Sequence, residues 1–382
     1  MKLIYGIEDK PKFSKTLVFA FQQMIAIMAA TLLVPLLVTS YGLQADAAAA
    51  LFGAGIGTIV YLFCTKRRSP VFLGSSFTFL GAYAATIGQN YGYWGMLIGV
   101  AFAGLVYVII GLVIKVVGSG WVNKLMPSVI IGPIVALIGL SLSGTATTYN
   151  WAAIICGIFT FFMIVIASVK GSKTVKLIPF IVGIGAGYAL ALVFTIIGMA
   201  TGTESLKLLS FQPFIDAFGT FSITSIVDYP KFFFLKAIET NGQYPLDAAA
   251  IGNIAMIYIP IGVVELAQHI ADHKNLSTVV NRDLIADPGL DKTLIGDGLG
   301  SIVGAFFGGC ANTTYGESIG CIAITGNASI VSILTAALGC MVLSFFTPFV
   351  VLINSIPKCV MGGACIALYG FIAVSGLQML HR

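Results

Sequence analysis

Long apolar runs separated by short polar connections fill the chain. A bilayer core about 30 Å thick takes about 20 apolar residues per helix, so runs nearly free of charge count membrane spans. The run 16–45 predicts a first spanning helix with its exit loop, and 47–65 a second span. Then 69–114 predicts two spans, 125–169 two more with a break near 144–150, and 177–203 a seventh. A long connection at 204–246, with an amphipathic helix expected around 229–238, divides the chain. Beyond it, 248–271, 293–309, 310–325, 328–353 and 359–380 bring the expected sum to twelve, the third and tenth spans being irregular.

Both irregular spans place small hydroxyl and β-forming residues where a helix should continue. They read Pro70-Val-Phe-Leu-Gly-Ser-Ser-Phe-Thr-Phe79 and Gly308-Gly-Cys-Ala-Asn-Thr-Thr-Tyr-Gly-Glu317. Non-helical backbone at membrane depth is tolerated only where protein buries it or where it lines a cavity. Corresponding breaks in two halves of a chain point to a transporter binding site between inverted repeats.

Composition agrees with the pattern. Of 382 residues, 58% are hydrophobic and 9% charged, with a mean hydropathy of +0.99. Soluble domains are nearer 45–50% apolar and about 25% charged. A cytosolic enzyme, a nucleic-acid binder and a disordered regulator are excluded. The seven cysteines form no CxxC or Cys/His cluster and read as small packing residues, so no metal, cofactor or disulfide framework is expected. With the N-terminus in the cytoplasm, sixteen of the twenty Lys and Arg residues fall on the cytoplasmic side; Lys207, Lys231, Lys236 and Lys358 fall outside. Such a bias sets the orientation of a multi-pass protein in the cell membrane.

Three acids are expected at membrane depth: Glu265, Asp272 and Glu317. An ionisable group there is expensive and is a functional hypothesis by default. At about 100° per residue, Glu265, Gln268, His269 and Asp272 share one face of the eighth span. His273 is expected to mark the cytoplasmic end of that helix. Glu317 follows Gly316 at the start of a short helix, where free N–H groups and a carboxylate suit recognition of a ligand edge. Gln22 and Gln23 add neutral polar groups in the first span.

At these residues the sequence resembles the nucleobase–cation symporter family, also called the nucleobase–ascorbate transporters, in its uracil-permease form. Asn312-Thr-Thr-Tyr-Gly-Glu317 is the most specific match. Leu73-Gly-Ser-Ser-Phe77, Ile356-Pro357 and Leu368-Tyr-Gly370 also match. The resemblance implies an all-α membrane fold with fourteen spans in two inverted repeats of seven, and short strands in spans 3 and 10. It implies a core domain at 1–120 and 247–354, a gate domain at 121–203 and 355–382, and an extracellular connection at 204–246. It assigns substrate contacts to Glu317, Gln268, Phe77, Tyr315, Gly316 and, from the gate side, Tyr369. Gln22, Gln23, Asn312 and Ser318 support them, and a homodimer is implied. Four features depart from the family pattern. Gln268 stands where the family has a glutamate, Gln22-Gln23 replaces a Gln-His pair, and Ser318 replaces an asparagine. The chain also stops after span 12, as expected of a fragment lacking the last two spans.

A uracil edge alternates N–H donors with carbonyl acceptors. A glutamate accepts two N–H bonds, whereas a glutamine matches an adjacent N–H/C=O pair. The expected function is therefore proton-coupled import of uracil or a related base, with elevator-like alternating access. Glu317, Asp272, Glu265 and His269 are the candidates for the proton, and Phe77 and Tyr315 for packing on the flat ring. A purine or xanthine permease of the same family and an anion transporter of the same fold are the alternatives. An intramembrane enzyme would need a nucleophile–base pair or metal cluster that these residues do not offer.

Overall fold

A computed structural model of the chain describes residues 3–118, 120–121, 151–172, 175–220, 222–244 and 246–380; the expected fifth span lies outside them. The chain divides into two compact units, Met1–Pro127 with Tyr229–Phe345 and Ser128–Asp228 with Phe346–Arg382. The boundaries therefore fall near 127, 228 and 345. The expected long connection is shared, 204–228 going to the second unit and 229–246 to the first.

The first unit opens with α1 (Phe13–Ser40) and α2 (Ala47–Cys64), followed by the strand β1 (Leu73–Ser75) and the short helix α3 (Leu80–Gly88). Next comes α4 (Gly92–Val117). The second unit holds α5 (Trp151–Lys170), α6 (Pro179–Thr201) and α7 (Gln212–Phe218). The chain returns to the first unit with α8 (Phe233–Glu239), α9 (Ala248–Val280) and α10 (Leu290–Gly308). The strand β2 (Asn312–Thr314) and helices α11 (Gly316–Thr325) and α12 (Ile330–Leu343) complete it. Helices α13 (Thr347–Asn354) and α14 (Lys358–Leu380) belong to the second unit.

Among the described residues, α1, α2, α4, α5, α6 and α9 are long and apolar enough to cross a membrane. The run 328–353, expected as one span, instead forms the 14-residue α12 and the separate α13. Pro348 at the start of α13 begins a new helix there, because its ring cannot continue one from upstream. Between α13 and the first part of α14 the direction changes by 82°.

Lipid supplies no hydrophobic drive between helices, so close approach of small residues holds the first unit together. Its closest seam joins α2 to α10. A Cβ on Gly304 would lie 1.9 Å from the Asn312 side-chain nitrogen and 3.0 Å from the Gly53 carbonyl oxygen. A Cβ on Gly57 would lie 2.5 Å from that nitrogen and 2.7 Å from the Gly300 carbonyl. Asp46 caps α2 by accepting from Ala48 N–H at 2.9 Å, and its other oxygen accepts from Lys231 N–H at 2.7 Å. The second unit packs α5, α6 and α14 around Ala153, Cys156, Ala191, Cys359 and Val360.

At the opposite end of α2, Arg68 donates from Nη1 to Asp287 Oδ1 at 2.8 Å. Arg282 donates to the other oxygen of Asp287 and to Glu8 Oε1, the latter at 3.4 Å. The N-terminal segment, the loop after α2 and the linker between α9 and α10 thus share one ion network. The Arg68 guanidinium first, and Arg282 second, hold the Asp287 carboxyl below its usual range.

Candidate functional site

Two strands of three residues form the centre of the first unit. They run antiparallel, with Leu73 opposite Thr314, Gly74 opposite Thr313 and Ser75 opposite Asn312. Every residue in both is buried. A span can stop being helical here because side chains and backbone satisfy the groups that a helix would have paired. Thr58 on α2 accepts from Leu73 N–H at 2.9 Å. Ser301 on α10 donates to the Asn312 carbonyl, and Asn312 Nδ2 donates to the Gly53 carbonyl at 2.9 Å. Beyond the ladder, Ser76 N–H bonds the Ala311 carbonyl at 2.8 Å and Tyr315 N–H bonds the Phe72 carbonyl at 3.2 Å.

Helix α9 lies against β2 and α11 and carries the polar face expected of it. Glu265, 1% exposed, accepts from the Ser76 hydroxyl at Oε1 and from Thr313 Oγ1 at Oε2, the second at 3.3 Å. Asp272, about two turns along, accepts from Thr314 Oγ1 at 3.0 Å. His269 turns toward α10, where Nδ1 meets Asp297 Oδ2 at 2.6 Å and Nε2 meets Thr293 Oγ1 at 3.1 Å. Asp297 is a fourth acid at depth, absent from the three expected. It was concealed in the run 293–309 by its glycine neighbours Gly296 and Gly298, although a carboxylate inside an apolar run is itself the signal. Among the described residues no side chain bonds its buried Oδ1.

His273 does not mark a solvated helix end. It is buried, its Nε2 lies 2.8 Å from the Tyr61 hydroxyl and 3.4 Å from Ser69 Oγ, and its Nδ1 lies 2.9 Å from the His269 carbonyl. Helix α9 continues for about another two turns to Val280. At 33 residues it reaches about 50 Å, well beyond a bilayer core. A span count based on hydropathy stops too early here.

Helix α11 starts with Tyr315 as N-cap, which gives no side-chain cap, and with Glu317 in its first turn. Gly316 is exposed and Glu317 half-buried, as is Gln268 across on α9. Among the described residues no other side chain hydrogen-bonds the Glu317 carboxylate or the Gln268 amide. Ser318, fully buried, accepts from Gln23 Nε2 of α1 and from Phe72 N–H at 3.0 Å, fixing α11 to the lead into β1. The neighbouring Gln22 has its Oε1 buried without a partner.

Tyr315 serves the strands with its own side chain. Its hydroxyl donates to the Ser75 carbonyl at 2.8 Å, and its ring lies over Gly74, where a Cβ would come within 2.2 Å. Phe77 is buried just after β1. The fold therefore brings Glu265, Gln268, His269, Asp272, Asn312, Gly316, Glu317, Ser318, Gln22, Gln23, Phe77 and Tyr315 into one unit. Tyr369 lies in the other unit, and its side chain is outside the described residues. What results, among the described residues, is an acid and an amide that no other side chain bonds, on two helices that pack together, the acid bonding its own backbone N–H in the first turn of α11. Such a set suits a small planar ligand with mixed donors and acceptors.

Comparison with known proteins agrees. Residues 14–382 match the profile of a permease family, that of the nucleobase–ascorbate transporters. The chain is 35% identical over 388 residues to the uracil permease of Bacillus caldolyticus, covering 99% of this chain and 82% of that one. It is 31% identical over 386 residues to the uracil permease of Escherichia coli K12, covering 98% and 81%. Among solved structures, the transmembrane domain of the cyanobacterial bicarbonate transporter BicA matches with a TM-score of 0.62 at 17% identity, covering 98% of this chain and 96% of that one. That likeness supports the fold. By sequence, strand geometry and polar face together, this chain is a multi-pass membrane protein of the nucleobase–ascorbate transporter family.

Proposed function

We propose that the protein imports uracil or a closely related base across the cytoplasmic membrane by proton symport, with its N-terminus in the cytoplasm. What supports this reading is that Glu317 in the first turn of α11 and Gln268 on α9, a helix that packs against α11, are bonded by no other side chain among the described residues. Glu317 accepts one N–H bond from the base. Gln268 donates to one carbonyl and accepts from the adjacent N–H, so an amide replaces a carboxylate without losing recognition. Backbone N–H groups of Gly316 and Ser318 face the ring carbonyl, as the orphan donors of a helix start do. Phe77 covers the ring face. The proton resides among Glu317, Asp272, Glu265 and His269.

Movement of one unit against the other, in the manner of an elevator, exposes the base alternately to each side, and two copies work as a homodimer. The protein moves its substrate without chemical change. Gate residues such as Tyr369 complete the contacts. The ion network of Arg68, Arg282, Asp287 and Glu8 gathers cationic loops at one end of the first unit, which supports a cytoplasmic position for that end.

Thermal stabilisation of the purified protein by uracil, xanthine, hypoxanthine, ascorbate and sulfate tests the reading. A true ligand at a hundredfold excess over Kd stabilises by about 2.7 kcal/mol. A uracil-selective shift supports it. Xanthine or hypoxanthine selectivity reassigns the substrate to purines, and a shift with sulfate alone overturns the base reading in favour of anion transport.

A further inference from the structure

The four acids at membrane depth are not equivalent. Asp297 is sealed against His269, fully buried. Glu317, in the first turn of α11, bonds only its own backbone N–H among the described residues. Asp272 takes a single hydroxyl, from Thr314. Glu265 alone, among the described residues, has its two oxygens bound by the two broken segments separately, Ser76 following β1 and Thr313 within β2. It sits one turn before Gln268 on the same face, so the polar face of α9 has an acid directly beside its neutral ligand-facing amide.

We infer that Glu265 is the proton-carrying group of the transport cycle, pinning both strand segments to α9 when ionised and reversing a hydrogen bond to one of them when protonated. The inference rests on the transport reading above and deepens it. An ionised carboxylate is an acceptor only, so both hydroxyls must donate to it. Once protonated, Glu265 donates through one oxygen, and either Ser76 or Thr313 must turn its own proton elsewhere. Ser76 Oγ also accepts from Thr78 N–H at 3.3 Å, and Ser76 N–H bonds the Ala311 carbonyl ahead of β2. The change therefore reaches the backbone of both segments, and through Thr313 the start of α11 three residues later. The step is the gain or loss of one proton, with no other reactant.

The groups around Glu265 do not neutralise it. Tyr83 of α3 and Tyr107 of α4 are within its field, as are Asp297 of α10, Asp272 on α9 itself and Tyr315 ahead of α11. His269 lies one turn along α9 but is engaged by Asp297. Glu317 of α11 adds a further acid facing Asp272, and β2 carries no charged side chain. Asp287, in the linker that also packs on α9, is held by Arg68 and Arg282. No Lys or Arg among the described residues pairs with Glu265, so its charge is free to follow the proton supply.

The full chain in proteoliposomes, with radiolabelled uracil and an imposed pH gradient, tests this. Expected for Glu265→Gln is loss of concentrative uptake, the internal level falling to equilibration, while uracil counterflow persists. Concentrative uptake by Glu265→Gln at the wild-type level overturns the inference and leaves the transport reading intact. Absence of uracil counterflow in the wild type overturns the reading itself. Infrared difference spectra between acid and neutral buffer give a measure independent of substrate. A protonated-carboxyl band present in the wild type and missing in Glu265→Gln supports the inference; an unchanged band overturns it. If Glu265→Gln does not fold, Thr313→Val serves instead. Removing one donor from the ionised acid displaces the pH profile of uptake, and an unmoved profile overturns the inference.

Discussion

The two broken segments of the first unit share a construction and differ in chemistry. Each is a three-residue strand preceded by a glycine-bearing helix and followed by a short helix. Each preceding helix holds its strand by one hydroxyl, but not in the same way. Thr58 of α2 accepts from the first N–H of β1 and also donates to its first carbonyl, at 3.3 Å, whereas Ser301 of α10 only donates, to the first carbonyl of β2. After β1 come Phe77 and Phe79, both buried, before α3 begins at Leu80. After β2 the chain passes through Tyr315 straight into α11, with Gly316 exposed and Glu317 in the first turn. The same backbone device is thus followed by buried aromatic side chains in one half and by an acid in the first turn of a helix in the other.

The seam that the two halves share should be the most sensitive point. Gly304→Leu places a side chain where Asn312 and the Gly53 carbonyl already stand. Overpacking commonly costs about 1–3 kcal/mol, and a clash with backbone exceeds that range. The expected outcome is loss of a monodisperse peak in size-exclusion chromatography. A well-folded variant would show that α2 and α10 do not meet as described.

Next in size is the charged end of the second segment. On the proposed reading, Glu317→Ala removes the acceptor for one N–H group of the base, a charge-assisted bond being worth about 1.5–3 kcal/mol. Uracil affinity, read by thermal shift or calorimetry, should fall on the order of 10- to 100-fold while the apo melting temperature stays near wild type. Unchanged affinity removes Glu317 from the site.

The accepting role of Thr58, which Ser301 lacks, predicts unequal losses. Thr58→Val leaves the buried Leu73 N–H without an acceptor, at about 1–3 kcal/mol. Ser301→Ala deprives a carbonyl that keeps a second lone pair and is more easily satisfied, so its cost is smaller. Thermal unfolding of the two variants side by side checks the order, and equal losses would erase the asymmetry.

Much of this was legible in the sequence, for particular reasons. The strands at 73–75 and 312–314 announced themselves because hydroxyl and β-forming residues interrupt apolar runs, which no membrane helix needs. Glu265, Gln268, His269 and Asp272 were placed on one face by helical periodicity alone. The other side of that face was not legible. Asp297 looked like part of a glycine-rich run because its partner His269 is 28 residues away, and hydropathy registers no partner. His273 looked terminal because apolar content falls there, yet α9 outruns the bilayer and buries it against Tyr61 and Ser69. The division of 328–353 between two units depends on where a helix packs, and a count of apolar residues contains no such information.

The smallest expected effect lies outside the strands, at the loop where the first half meets the second. Asp287 receives Arg68 from the loop between α2 and β1 and Arg282 from the end of α9, so this one carboxylate joins the approaches to both segments. It is substantially exposed, and solvent screens such pairs, so Asp287→Asn should lower the melting temperature only slightly at neutral pH. The pH dependence is the sharper test. A carboxyl held below its ordinary value of 3.8 contributes its stabilisation fully above that value and loses it as pH falls through its lowered folded-state value. The gap between wild type and Asp287→Asn should therefore be constant at neutral pH and close only in strong acid. High salt should narrow it at every pH above that window. A gap that instead closes around pH 6 would point to a histidine, and the ion network would then not be what joins the two approaches.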